Sequence, residues 1–301
     1  KTPPFHGGIT SSILVGVTVS QEYLGIFLYV KFGGSMDPLS STEILRFYQL
    51  RNQGCLSLEP HVLLFDEIDS TNTECKRRIQ ELPYGEDIFS HISEGTVFLS
   101  DYQTAGRGRM GKSFLSPKGS GLYFSILTKP RGENKNPLVL TCHAAVAVKR
   151  AVKEVFDIEL SIKWVNDLFY KGKKLVGILA EGQLSDSSSL AYCIMGIGIN
   201  LFLPESGFPE ELSGIAGTLF DYHEEKKETI NRNQFLASIL FHYFSLLDQD
   251  KVEEEYRKEN ILLTKEILFT ENHEEYRGRV EAILEDGSLS VRCQEGSMKI
   301  V

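Results

Sequence analysis

The sequence predicts an α+β protein in which strand-like and helix-like segments are followed by a small β-barrel. Apolar residues make up 42% of the 301 residues, which is enough for a full core. Two long segments carry apolar residues at helical spacing, and several short apolar runs are bounded by turn residues. From Leu262 onward, short alternating segments separated by turns predict the barrel.

Four helices are predicted from capping residues and from apolar spacing. The first, residues 37–53, contains Ser-Ser-Thr-Glu, which is typical of a helix N-terminus. The second, residues 73–81, follows a polar turn in which one of three residues can cap it, namely Ser70, Thr71 or Asn72. Residues 138–156 and 233–249 are amphipathic and predict the two longest helices.

Strands are predicted where short runs of β-branched, aromatic and other apolar residues lie between turns. These runs are residues 62–65, 96–100, 122–127, two short strands within 161–170, then 175–180 and 192–200. Asn166 and Asp167 lie where the two short strands meet. The glycines of the last run permit close approach by another group. The acidic run from Glu253 to Glu255 is predicted to be solvated.

A glycine loop between residues 100 and 122 is the most informative stretch. Residues 106–113 satisfy both G-x-x-x-x-G-K-[ST] and G-x-G-x-x-G, two phosphate-binding signatures. Both signatures require a helix directly after the loop. Proline and glycine at positions 117, 119 and 121 make a helix there unfavourable. The sequence therefore predicts a loop between two strands and neither a P-loop nor a Rossmann turn.

The residue types of this loop suit an anionic ligand. Glycines allow the backbone to approach a ligand closely, and Arg107, Arg109 and Lys112 supply positive charge. The alternative interpretation is a mobile basic hairpin that binds nothing.

Composition restricts the partners and the compartment. The net charge is −9, which argues against nucleic acid as the main partner because phosphate contacts need a basic face. Five dispersed cysteines without a C-x-x-C pair predict reduced thiols in the cytoplasm and no zinc site. The most apolar early stretch, residues 13–30, is interrupted by polar residues and glycines, so no membrane span is expected.

Four motifs in a fixed order resemble those of the biotin protein ligases. They are G-R-G-R-x-G from Gly106, K-W-x-N-D-L from Lys163, K-L-x-G-I-L-x-E from Lys174, and G-I-G-I-N ending at Asn200. The resemblance covers residues 62–301. It implies a mixed β-sheet with helices packed on one face, as in class II synthetases, followed by a small SH3-like β-barrel.

The resemblance also implies a division of the chain. Residues 62–258 would be the catalytic domain, and residues 259–301 the SH3-like domain, apparently truncated. Residues 37–61 would be a linker with a short helix. Residues 1–36 are interpreted as an extension of uncertain origin, either engineered or a native β-hairpin.

The implied reaction has two steps. Biotin reacts with ATP, in the presence of Mg²⁺, to give biotinyl-5′-AMP and pyrophosphate. A lysine amine of a biotin carboxyl carrier protein then attacks the mixed anhydride and forms an amide. A carboxylate attacking a phosphate needs fixed cations nearby, and the loop arginines suit that need.

The resemblance assigns roles to particular residues. The biotin site would comprise Ser70, Thr71, Asn72, Gln103, Gly106, Arg107, Lys174 and Gly177. The ATP and adenylate site would comprise Arg107, Arg109, Lys112, Phe114, Gly198 and Asn200. The catalytic residues would be Lys174, Arg109 and Asp167, with Asp167 also the candidate for Mg²⁺. Apolar residues such as Leu175 and Ile178 would line the valeryl chain of biotin.

Local patterns alone allow plainer interpretations of these residues. Ser70 and Thr71 could simply cap a helix, Lys174 could be a solvated turn lysine, and Asp167 could cap a turn. The sequence also departs from the family at two positions. Lys112 stands where many members have arginine, and Phe114 stands where a tryptophan is frequent.

Two other functions compete with a biotin ligase. A lipoate ligase shares the fold class and the adenylation chemistry, and a non-enzymatic biotin-responsive regulator would need DNA-binding machinery. The sequence shows no winged helix-turn-helix before residue 62, so DNA is not expected as a partner. Family members form homodimers, and a homodimer is one option here.

Overall fold

The computed structural model describes residues 37–131, 136–184, 190–204, 206–220, 230–271 and 273–301. The interpreted N-terminal extension, residues 1–36, lies outside them. Six α-helices are found in the described residues: α1 Ser41–Asn52, α2 Thr71–Gln80, α3 Pro137–Phe156, α4 Glu210–Ser213, α5 Arg232–Leu246 and α6 Glu254–Lys258. The four predicted helices correspond to α1, α2, α3 and α5.

The strands form two sheets. The first contains β1 His61–Phe65, β2 Thr96–Ser100, β3 Gly121–Thr128, β4 Ser161–Lys163, β5 Asp167–Tyr170, β6 Lys173–Leu184 and β7 Leu190–Asn200. The second contains β8 Glu266–Glu271, β9 Glu274–Ile283, β10 Leu289–Cys293 and β11 Met298–Ile300. All the predicted strands before residue 200 are therefore present.

The larger sheet is mixed. Its order is β1-β2-β3-β7-β6-β5-β4. The β1 and β2 strands pair in parallel, and every other neighbouring pair is antiparallel. The smaller sheet is antiparallel, with the order β11-β10-β9-β8. The predicted mixed sheet followed by a small all-β unit is confirmed.

Side-chain alternation along the strands separates the two faces of the large sheet. On one face, Leu122, Phe124 and Ile126 of β3 are buried in the main core with α1, α3 and α5. On the other face, Leu127 of β3 packs with Cys75 of α2. The predicted covering of one face by helices is confirmed for α1, α3 and α5, and the shorter α2 lies on the opposite face.

The helix ends follow from local chemistry. Ser40 caps α1 by accepting a hydrogen bond from the backbone N–H of Glu43 at 3.3 Å. Asn136 accepts one from the N–H of Leu138 at 2.9 Å and so caps α3. Ser70 is the N-cap residue of α2, but its side chain makes no capping hydrogen bond. The Ser70 hydroxyl is therefore not committed to the helix end.

The turn between β4 and β5 is fixed by the C-terminal part of the chain. The indole Nε1 of Trp164 donates to the carbonyl oxygen of Gly287 at 2.8 Å. The hydroxyl of Tyr256, on α6, donates to the carbonyl oxygen of Val165 at 2.7 Å. Oδ1 of Asn260 accepts from the backbone N–H of Trp164 at 3.2 Å. Three separate contacts thus hold one short turn.

The structure tests the predictions for the glycine loop and for the acidic run at residues 253–255. Residues 112–120 contain no helix, so the P-loop interpretation is wrong and the loop lies between two strands, as predicted. The prediction of a solvated acidic run is confirmed for Glu254 and is wrong for Glu253 and Glu255. Glu254 and Glu255 begin α6, and Glu253 and Glu255 form ion pairs with Arg150 of α3 at 2.5 and 3.2 Å.

The five cysteines are free, as expected for reduced thiols. Within the part of the chain that the structure describes, no helix combines the length and the apolar character needed to cross a membrane.

Candidate active site

A buried polar network lies at the N-terminus of α2. Ser70, Thr71 and Asn72 are each at most 3% exposed. The side-chain oxygen of Gln103 accepts a hydrogen bond from the backbone N–H of Thr71 at 2.9 Å. The Ser125 hydroxyl, on β3, donates to Oδ1 of Asn72 and lies 2.7 Å from Oγ1 of Thr71. Hydroxyl and amide groups from three parts of the chain therefore meet on the α2 face of the sheet.

Glu181 on β6 connects this network to the glycine loop. Its carboxylate accepts from Nδ2 of Asn72 at 2.9 Å and from Nζ of Lys76 at 2.7 Å. The guanidinium of Arg107, from the loop, lies 3.1 Å from the same carboxylate. Burial raises the pKa of Glu181, but the bonds from Lys76 and Asn72 and the charge of Arg107 outweigh it, so this pKa lies below its usual value.

The glycine loop folds back on itself as an irregular hairpin. The N–H of Phe114 donates to the carbonyl oxygen of Gly106 at 2.8 Å, and the N–H of Gly108 donates to that of Lys112 at 2.7 Å. A Cβ at Gly106 would lie 2.3 Å from the carbonyl oxygen of Phe114, so only glycine fits there. The loop needs glycine at this position for its own folding.

The aromatic ring of Phe114 lies over two paired glycines of the sheet. Gly177 of β6 is the register partner of Gly198 of β7. A Cβ at Gly198 would lie 2.5 Å from Cε1 of Phe114, and a Cβ at Gly177 would lie 3.1 Å from Cε2. The two glycines therefore leave a flat strip of backbone that the loop covers with one ring.

Lys174 and Asp167 form an ion pair beside this strip. Nζ of Lys174 lies 2.6 Å from Oδ1 of Asp167. A Cβ at Gly177 would lie 3.5 Å from Cε of Lys174, so the lysine stem borders the glycine strip. Nη1 of Arg109 donates to Oδ1 of Asn166 at 3.2 Å, which joins the loop to the turn before Asp167.

The fit of Mg²⁺ to these residues rests on Asp167. Its Oδ1 is buried, with the ammonium group of Lys174 as its near neighbour at 2.6 Å. Those residues contain no group of three or more His, Cys, Asp or Glu side chains that could hold a metal ion. Mg²⁺ is usually held by one or two carboxylates together with phosphate oxygens and water. Asp167 therefore fits Mg²⁺ that arrives with a nucleotide, and not a metal site built by protein alone.

Most of the predicted site residues lie on this one face. Gly198 and Asn200 are two residues apart on β7, so they point to the same side. Lys112 is exposed near the loop tip, where its backbone N–H donates to the carbonyl oxygen of Arg109 at 3.1 Å, and its side chain forms no hydrogen bond or ion pair with the described residues. The roles assigned to all these residues remain proposals.

The prediction for the valeryl chain is wrong for Ile178, and for Leu175 it stays a prediction. Leu175 and Ile178 are buried in the main core that includes α3. Since Gly177 faces the loop, its neighbour Ile178 must point to the opposite side of the sheet. The apolar surface near the glycine strip comes from Phe114.

Three polar residues of this region carried no predicted role. They are Ser125, Asn166 and Glu181. Asn166 and Glu181 lie inside two of the four recognised motifs, K-W-x-N-D-L and K-L-x-G-I-L-x-E, so those motifs contained the signal. Ser125 is a single serine within an apolar strand, and only its partners in the fold distinguish it.

Part of the chain matches a known family of cofactor ligases. Residues 64–200, less than half of the chain, match the Biotin/lipoate A/B protein ligase family. The match includes most of the residues described above, from the polar network to Asn200.

Individual relatives are named as ligases. The chain is 41% identical over 137 residues to the "Bifunctional ligase/repressor BirA" of Bacillus subtilis, a match that covers 46% of this chain and 42% of that protein. It is 29% identical over 156 residues to the "Biotin--[acetyl-CoA-carboxylase] ligase" of Mycobacterium tuberculosis, covering 50% of this chain and 52% of that protein. The chain thus spans about half the length of these relatives, or less.

A solved structure extends the likeness beyond the family domain. The biotin protein ligase from Aquifex aeolicus in complex with biotin and ATP superposes with a TM-score of 0.62 at 29% sequence identity. The superposition covers 80% of this chain and 95% of that one. The overall arrangement of the described residues is therefore that of a biotin protein ligase.

Proposed function

We propose that this protein is a biotin protein ligase, an enzyme that makes biotinyl-5′-AMP and then biotinylates a lysine of a carrier protein. The observation that carries the proposal is the gathering of Lys174, Arg107, Arg109 and Phe114 around the Gly177–Gly198 strip, with the polar network beside it. Relatives named as biotin ligases support the same substrate.

The polar network suits the ureido ring of biotin. That ring offers one carbonyl acceptor and two N–H donors. Thr71, Gln103 and Asn72 provide hydroxyl and amide groups that can both donate and accept. Burial of these groups makes an unmatched ligand costly, since each unpaired polar group loses about 1–3 kcal/mol. The dithiolane ring of lipoate has no comparable groups, so the network favours biotin.

The cations suit the first half-reaction. The biotin carboxylate attacks the α-phosphate of ATP, a new O–P bond forms, and the bond to pyrophosphate breaks. Lys174, Arg107 and Arg109 would offset the repulsion between the two anions and stabilise the charge of the transition state. Asp167 would keep Lys174 in place through their ion pair. Mg²⁺ bound to Asp167 and to ATP would neutralise further phosphate charge.

The loop suits the second half-reaction. A lysine amine attacks the carbonyl carbon of biotinyl-5′-AMP, the amide bond forms, and AMP leaves with the electrons of the anhydride bond. The mixed anhydride must be protected from water until the acceptor arrives. The contact between Arg109 and Asn166 would hold the loop over it.

The first test is ATP–pyrophosphate exchange with biotin, with lipoate and with neither. We expect exchange with biotin and no exchange with lipoate or without an added acid, because biotin can complete the hydrogen bonds of the polar network and lipoate cannot. Exchange driven by lipoate would show that the substrate is lipoate and that only the adenylation chemistry of the proposal is right. No exchange with either acid, from protein that melts cooperatively, would contradict the proposal.

Replacement of Arg109 by glycine should weaken retention of biotinyl-5′-AMP. Loss of the contact with Asn166 and of one cation is expected to speed release of the intermediate by about tenfold, because a hydrogen bond to a charged group contributes about 1.5–3 kcal/mol. Release is measured by chasing a preformed complex with excess biotin. Lys118→Gly, at an exposed position of the same connection, is the control. Equal release from wild type and Arg109→Gly would contradict the role of Arg109.

The acceptor, the assembly and the compartment complete the proposal. The acceptor would be a lysine of a biotin carboxyl carrier protein or domain. A homodimer, the lack of DNA binding and a cytoplasmic location remain predictions from the sequence. Within the chain, residues 62–258 would catalyse both steps, and residues 259–301 would form the SH3-like unit.

A further inference from the structure

Arg232, the first residue of α5, is a buried arginine outside the recognised motifs. It is 3% exposed. Its Nη1 donates to Oδ1 of Asp101 at 2.6 Å and to the carbonyl oxygen of Gly121 at 3.2 Å. One guanidinium nitrogen therefore binds two acceptors that are far apart in sequence.

The position of Arg232 is unfavourable for the helix that carries it. A positive charge in the first turn opposes the positive N-terminal end of the helix dipole. Asn231 already caps α5 by accepting a hydrogen bond from the N–H of Gln234 at 2.9 Å. Nε of Arg232 is buried and has no hydrogen-bond partner among the described residues. The contacts with Asp101 and Gly121 therefore have to offset these two costs.

Both acceptors lie at the base of the glycine loop. Asp101 directly follows β2, where its own N–H donates to the carbonyl oxygen of Phe65 at 3.2 Å. Gly121 is the first residue of β3. Every loop residue with a proposed role lies between these two positions. Arg232 thus joins the start of the loop to its end.

We propose that Arg232 is a positioning residue that fixes the two ends of the glycine loop and thereby sets how tightly the loop holds biotinyl-5′-AMP. The role rests on the proposed function, because the ligand is the adenylate. A small separation of the two loop ends displaces the residues at its far end, and Arg107 and Arg109 need a fixed geometry to pair with phosphate. Charge neutralisation of Asp101 is part of the same contact.

The test compares Arg232→Met, Arg232→Lys and Asp101→Asn in the full chain. The first readout is the release rate of biotinyl-5′-AMP. The second is trypsin cleavage after Arg107, Arg109 and Lys112 without any ligand. We expect both rates to rise by about tenfold in Arg232→Met, which loses hydrogen bonds from a charged donor. Arg232→Lys keeps the positive charge, so both rates should rise less than in Arg232→Met. Asp101→Asn keeps the shape of the side chain but loses its charge, so both rates should also rise, by less than in Arg232→Met.

Arg51→Met is the matched control. Arg51 of α1 forms an ion pair with Glu154 of α3, on the helix-covered face and away from the loop. The Arg51→Met variant should have a lower melting temperature, with unchanged rates of adenylate release and of loop cleavage. If Arg232→Met and Asp101→Asn behave like Arg51→Met in both readouts, Arg232 is only structural and the proposal is overturned. If the wild type makes no biotinyl-5′-AMP, the proposed function fails, and the cleavage rates alone decide the role of Arg232.

Discussion

Replacement of Lys174 by alanine is expected to lower biotin-dependent ATP–pyrophosphate exchange by about 10²–10³-fold. Cε of its side chain borders the Gly177–Gly198 strip, where the reacting carboxylate and α-phosphate are proposed to meet. Removal of this fixed cation leaves the developing charge to the loop arginines, which are more exposed. The partner Asp167 would then lie unpaired in the site and would add repulsion.

The fold should survive this change. Lys174 and Asp167 are both partly exposed, so loss of their ion pair should change the free energy of unfolding by only about 1 kcal/mol. Lys173→Ala is the control, because Lys173 is the adjacent residue and its Nζ donates, among the described residues, to the carbonyl oxygen of Ser213 at 3.1 Å. A Lys174→Ala variant with normal exchange, or a Lys173→Ala variant with the same loss, would contradict the proposed role.

Replacement of Glu181 by alanine is the second large effect that we expect. The carboxylate of Glu181 is the shared partner of Asn72, Lys76 and Arg107. Without it, two cations face each other and the buried amide of Asn72 loses the acceptor that orients it. Biotin affinity should fall by about tenfold or more, equivalent to about 1.4 kcal/mol. The free energy of unfolding should fall by about 2 kcal/mol, less than for a fully buried pair because Lys76 and Arg107 are partly exposed.

Two further variants separate the causes. Glu181→Gln keeps the acceptor oxygen for Asn72 and loses the charge, so it should bind biotin better than Glu181→Ala. Glu94→Ala removes a carboxylate of similar exposure, which pairs with Arg131 at 3.0 Å away from the site. It should affect melting and leave biotin affinity unchanged, as followed by calorimetric titration. Equal biotin affinity in wild type and Glu181→Ala would rule out the connecting role.

The same carboxylate gives the direction of a pH effect. The pKa of Glu181 is lower in the folded protein than its usual value, which is about 4.3. Its stabilising contribution is therefore complete above that usual value and is lost as the pH falls through the lower folded value. In the wild type, the free energy of unfolding that Glu181 contributes should be lost only in the acidic range. In Glu181→Ala, the free energy of unfolding should therefore fall less steeply as the pH is lowered through that range.

Local patterns were sufficient for most of the fold. Capping residues and apolar spacing located α1, α2, α3 and α5, and short apolar runs located the strands of the large sheet. The acidic run at Glu253 was misjudged because its partner, Arg150, is about a hundred residues earlier in the chain. A local stretch of sequence cannot indicate an ion pair with a residue that is distant in the chain and comes close only in the folded protein.

The site was predictable where it coincided with motifs and not where it depended on strand direction. Glycine and arginine in the loop, and the lysine of β6, could be named from the sequence. Ile178 could not be placed, since a shift of one residue along a strand changes the face of the sheet. Ser125 and Arg232 are single polar residues, and their meaning depends on partners in other elements.

The anchoring of the β4–β5 turn has a consequence for cooperativity. Trp164 is hydrogen-bonded to Gly287, and Val165 is hydrogen-bonded to Tyr256. The carbonyl oxygen of Asn166 accepts from the N–H of Ile178, on the large sheet, at 3.0 Å. Gly287 lies between β9 and β10, so opening of that hairpin would remove the bond from the Trp164 indole, one of the three contacts that hold the turn. Local opening of the small sheet would therefore reach the edge of the large sheet through Trp164.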